Sequence, residues 1–144
     1  MPHPYGNVDG YTILKSMKGV FIKQKPQYLE AMTGCDFENK YYIYQNDEEG
    51  DRKGHKLMRA KEKSGWCARN CMHPDCKPFK VIIEHEGGPR DGDNILELNR
   101  EFRCTCCCFN RPEMDVNYVE NGANEYVGKV TQPWYCCDKG LMIQ

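Results

Sequence analysis

At 144 residues the chain has the size of one domain or a large piece of one, long enough to bury a core without covalent staples. Its net charge of −1 gives no global attraction to nucleic acid, and an aromatic content of 11% argues against disorder over most of its length. No stretch approaches the roughly 18–20 apolar residues of a membrane-spanning helix, and the opening Met1-Pro2-His3-Pro4-Tyr5-Gly6 lacks the basic start and apolar middle of a secretory signal.

Residues 1–18 hold Pro, Gly and Asn around a short apolar patch, Ile13-Leu14, and read as a flexible leader. From Gly19 onward the pattern is of short β-like runs divided by turn signals, so residues 19–144 form the domain. Val20-Phe21-Ile22 opens a strand, with Tyr28 to Met32 as its continuation past Pro26. Lys40 to Gln45 is aromatic and β-branched, as strands prefer. A charged loop with Glu48, Glu49 and Asp51 leads to a hairpin partner from His55 to Ala60; its acidic residues lack EF-hand spacing and read as a solvated tip. Phe79 to Glu84 and Ile95 to Leu98 flank the turn at Gly87-Gly88-Pro89. Met114, Val116 and Tyr118 alternate with polar positions, Asn121-Gly122 marks a turn, and Glu125 to Thr131 follows. Leu141-Met142-Ile143 begins a last strand. Helical periodicity is weak throughout. The predicted fold is all-β and antiparallel, a sandwich or barrel.

The chemistry lies in ten cysteines. Without a signal sequence they are expected to be thiols, metal ligands or acylation sites rather than disulfides. Cys67, Cys71 and Cys76 with His73 could supply zinc ligands or redox thiols, although no clean C-x2-C repeat is present. Cys104, Cys106, Cys107 and Cys108 are different. Alternate side chains of a strand face opposite sides, so a run this dense cannot be buried as a whole. Closely spaced exposed thiols suit S-acylation: one acyl chain anchors marginally, two or more firmly. Arg100, Arg103 and Arg111 flank the run and could attract anionic headgroups. Cys35 and Cys137 read as small core residues. No triad or metal-hydrolase spacing suggests an enzyme.

Several ordered segments resemble the phospholipid scramblases. Leu29-Glu30-Ala31-Met32-Thr33-Gly34 with Asn39-Lys40-Tyr41 is similar to that family's L-E-x-x-T-G and N-K-Y. Cys67-Ala68-Arg69-Asn70-Cys71 before Lys77-Pro78-Phe79 resembles C-x-R-N-C and R-P-F, with Lys77 where arginine is usual. Arg103 and the cysteine run match an arginine followed by many cysteines, and Gly128, Val130, Gln132 and Trp134 match G-x-V-x-Q-x-W. The resemblance implies part of a Tubby-like barrel, incomplete and without its central C-terminal helix. It also implies palmitoylation of the run and bidirectional, calcium-dependent movement of phospholipids between leaflets, with the chain on the cytoplasmic face of a membrane, the plasma membrane above all. The family's calcium ligands have no counterpart here, so no metal or other cofactor beyond palmitoyl groups is expected in this chain. A partial barrel would leave one strand edge unpaired, leading to the expectation of a truncated product or a homodimer through that edge. An acylated binding module without transport activity, and a zinc or redox protein, are the alternatives.

Overall fold

The computed structural model describes residues 6–26, 33, 35, 38–46, 54–73, 76–103, 111–133 and 142–143. Among the described residues, eight strands form one antiparallel sheet in simple chain order. They are β1 (Val20–Gln24), β2 (Lys40–Gln45), β3 (Lys56–Lys63), β4 (Phe79–His85), β5 (Asn94–Arg100), β6 (Glu113–Tyr118), β7 (Glu125–Thr131) and the two-residue β8 (Met142–Ile143). Among the described residues β1 and β8 do not pair, so the sheet is an open meander, as expected of an incomplete barrel. β2 and β7 match the expected bounds, while β3 runs on to Lys63. The expected continuation over 28–32 lies outside the described residues.

Strand alternation sorts the sheet into two faces. Tyr41, Ala60, Ile83, Leu96 and Tyr118 stand opposite one another across five strands, and Val81, Leu98 and Val116 make a parallel row. The other face carries ions: Arg59 Nε lies 2.7 Å from Glu84, Lys61 Nζ 2.7 Å from Glu84, and Lys56 Nζ 2.7 Å from Glu86.

Among the described residues, short helices accompany the strands. α1 (Gly10–Ser16) is capped by Asp9, whose carboxylate accepts the amide of Thr12 at 3.0 Å. Seven residues cannot hold a helix alone. The sheet supplies the rest: Ile13, 1% exposed, packs with Ile43, Leu57, Met58, Ala60 and Ile95. Leu57 and Ile95 are the extra residues at two register shifts, and both are fully buried. Part of the segment read as a flexible leader is therefore a docked helix. α2 (Trp66–Cys71) lies in the β3–β4 connection.

Candidate functional site: the cysteine-bearing end of the sheet

In a meander, successive connections alternate between the two ends of the sheet. Those after β1, β3, β5 and β7 leave from one end, and all ten cysteines fall within them in sequence, as do both tryptophans. The three remaining connections leave from the opposite end and carry in sequence Asp47, Glu48, Glu49 and Asp51, which lie outside the described residues, and Glu86, Asp91, Asp93 and Glu120. The chain thus has a thiol-rich end and an acid-rich end.

Cys104, Cys106, Cys107, Cys108 and Trp134 lie outside the described residues, as do Cys136 and Cys137. The stem from which the run leaves is described. Arg103 Nη2 donates to Glu113 Oε2 at 2.7 Å across the base of the β5–β6 connection, and Lys129 Nζ reaches the same oxygen at 2.9 Å. The Lys129 hydrogen bond, with the charge of Arg103, holds the Glu113 carboxyl below its ordinary range despite some desolvation. One position past β7, the amide of Gln132 donates to the carbonyl of Pro112 at 3.3 Å, adding a rung below the run. Arg100 rests over the ring of Phe79, its guanidinium carbon 5.2 Å from the centroid. Arg111 is half-buried, and its Nε has no hydrogen-bond partner among the described residues. Gly128 stands opposite Val116 in the sheet. Of the three arginines flanking the run, Arg103 is thus ion-paired within the fold and Arg100 is stacked.

The other thiols divide by burial. Cys35 is half-buried, Cys76 is buried, and Cys67 and Cys71 are exposed on α2. Arg69 and Asn70 hold that helix: Arg69 Nη1 donates to the Ser64 carbonyl at 2.5 Å and to Glu38 at 3.2 Å, and Asn70 Nδ2 donates to the Trp66 carbonyl at 3.1 Å. Among the described residues no three His, Cys, Asp or Glu side chains gather as a metal site. Cys67, Cys71, Cys76 and His73, all among the described residues, are therefore not gathered as a metal site. No helix of the described residues is long and apolar enough to cross a membrane.

The scramblase family model matches residues 2–144. The chain belongs to the scramblase family. It is 30% identical over 135 residues to phospholipid scramblase 2 of Bos taurus, covering 94% of this chain and 42% of that protein. Phospholipid scramblase 1 of Mus musculus is 28% identical over 143 residues, with 99% of this chain and 40% of that protein covered. Phospholipid scramblase 1 of Homo sapiens is 28% identical over 136 residues, 94% and 39% respectively. The chain spans about two fifths of the length of these curated relatives. No solved structure matches it. Within this scramblase-family chain the family segments have visible work: Arg69 and Asn70 hold α2, and Arg103 and Gln132 hold the stem of the cysteine run.

One group escaped the sequence reading, the buried carboxylate of Glu120 at the acid-rich end. Its side chain is 0% exposed and lies 2.8 Å from His85 Nε2 and 2.6 Å from Arg90 Nη1. Tyr118 donates to it at 3.0 Å. A Glu-Asn-Gly turn reads as solvated loop, so nothing local signals that its glutamate is buried.

Proposed function

We propose that this chain is a membrane-anchored part of a phospholipid scramblase, taking part in bidirectional, calcium-dependent movement of phospholipids at the cytoplasmic face of the plasma membrane. The supporting observation is that a chain of this family carries every cysteine in connections from one end of its sheet, including the run Cys104 to Cys108. Acyl chains on two or more of these thiols would hold that end against a bilayer, since each buried CH2 contributes about 0.8 kcal/mol. The acid-rich end would then face away from anionic headgroups. Scrambling requires no nucleophile or general base, so the reading is of a lipid transporter rather than an enzyme. The edge of β1, with Val20 and Ile22 exposed, supports pairing with a second copy.

Two measurements test this. Acyl exchange on the chain isolated from cells should label Cys104 to Cys108 after hydroxylamine; no label there would overturn the anchor. In liposomes containing a fluorescent phospholipid, calcium-dependent loss of the dithionite-protected inner-leaflet signal would place transport in this chain. A protected inner leaflet with an acylated chain would make it a membrane-bound binding module.

A further inference from the structure

The polar residues of α2 are used to hold the helix, and its sulfur and aromatic side chains are left outside. At about 100° per residue, Trp66, Cys67, Asn70 and Cys71 share one side of the helix while Ala68 and Arg69 occupy the other. Ala68 is buried and Arg69 is tethered to Ser64 and Glu38, which settles which side faces the protein. Asn70 turns its amide back onto the Trp66 carbonyl. What remains is a ring 61% exposed, two exposed thiols and, one position on, Met72 at 40%. Free cysteine is ordinarily among the most buried residue types, and Cys76, in the same connection, is buried. The exposure of Cys67 and Cys71 is therefore specific to their place on α2.

The surroundings favour a lipid surface as the occupant. α2 lies at the thiol-rich end of the sheet, and Phe102, 54% exposed, stands on the neighbouring β5–β6 connection just before the cysteine run. Lys63, exposed at the end of β3, precedes the helix by three positions in sequence, while Lys80 opposite it is ion-paired to Glu97 at 2.9 Å. The other exposed large apolar side chains lie on or beside α1, on β1 and at the start of β7. Tryptophan suits the headgroup level of a bilayer, where its ring is half in an apolar medium and its N–H can meet water.

We infer that the exposed side of α2 is a second membrane-contact element, in which Trp66 seats among the headgroups and Cys67 and Cys71 accept long-chain acyl groups. This rests on the membrane-facing reading of the thiol-rich end. In the acylation step the cysteine thiolate attacks the carbonyl carbon of a long-chain acyl-coenzyme A. A new carbon–sulfur bond forms as the coenzyme A thiolate leaves, and that thiolate takes the proton the cysteine gave up. Nothing is oxidised or reduced.

The test uses the whole chain expressed in cells. Free thiols are blocked with maleimide, thioesters are cleaved with neutral hydroxylamine, and the newly freed thiols are tagged and mapped by peptide mass spectrometry. Hydroxylamine-dependent tags on Cys67 and Cys71 and none on Cys76 are expected. The double variant Cys67→Ser, Cys71→Ser should lose the tags at these two positions and keep those on the run, staying in the membrane fraction with its thermal midpoint unchanged. Mapping the wild-type chain requires no variant, so a folding defect cannot obscure the answer. Tags on the run but none on Cys67 or Cys71 would overturn the inference and leave the anchor reading standing. Tags on Cys67 and Cys71 with none on the run would do the reverse. Release of the modification by a reductant alone would mean disulfide exchange and would also overturn it.

Discussion

The main-chain amide of Gly10 donates to a carboxylate oxygen of Glu120 2.7 Å away, although the two residues are 110 positions apart in sequence. This contact ties the first turn of α1 to the turn after β6. A buried carboxylate is costly unless its lone pairs are used. Here Oε2 accepts from Gly10 and Tyr118, and Oε1 lies against His85 and Arg90.

Glu120→Gln keeps the shape and removes the charge. Arg90 would lose its buried partner, and an amide cannot accept at both oxygen positions. The expected loss is about 3 kcal/mol, in line with breaking a buried ion pair. Urea unfolding measures the loss, and hydrogen exchange should show α1 opening before the sheet. An unchanged midpoint would mean that the carboxylate contributes nothing net.

Gly10→Ala tests how closely α1 approaches the sheet. An added Cβ would come within 2.5 Å of Ile95 Cγ2, and Ile95 is fully buried, so it has no solvent to move into. Alanine's better helix propensity recovers up to about 1 kcal/mol, against roughly 1–3 kcal/mol for overpacking. A net loss of about 1–2 kcal/mol is expected. Amides of residues 11–16 should exchange faster than those of β3 and β4.

Acid should weaken the ionic face of the sheet. Burial alone would raise the Glu84 carboxyl, but hydrogen bonds from Lys61 and Arg59 outweigh it and hold the group below its ordinary 4.5. The Gly87 amide likewise lowers Asp91. For a carboxyl depressed on folding, the stabilisation is complete above the unfolded value. It is lost as pH falls through the lower native one. Stability should therefore hold down to about pH 5 and fall below that, and Glu84→Gln should flatten the acid limb. Identical acid limbs in the two proteins would remove Glu84 from the account.

At the alkaline end, Tyr118 provides the signal. Burial, then its hydrogen bond to Glu120, pushes the phenol up to about 12 from 10.0. Because the folded value is the higher one, the contribution is complete below pH 10.0 and is lost as pH rises toward about 12. Phenolate absorbance should show a late-titrating component that is lost in Tyr118→Phe and shifted downward in Glu120→Gln. A late tyrosine that persists in Tyr118→Phe would belong to another residue.

Strands β2 and β7 were legible at both ends because side-chain alternation is a local property, written in consecutive residues such as Lys40 to Gln45. The family was legible for the same kind of reason, since its short segments survive as strings. α1 was not. Its seven residues show little periodicity, and what holds them, the carboxylate of Glu120 and the side chain of Ile95, comes from distant parts of the chain. Leu57 and Ile95 look like ordinary strand residues, and only the pairing of neighbouring strands makes them bulged and buried.

The amino-acid sequence by itself determined the strand periods, the family, and the confinement of the cysteines to segments between strands. Tertiary structure decided that those segments leave from one end of the sheet, because an antiparallel meander without crossovers sends every second connection the same way. It also decided which described thiols face outward. Exposure depends on what packs against a residue, and for Cys67 and Cys71 it follows from the tethers of Arg69 and Asn70 that orient α2 rather than from the cysteines themselves.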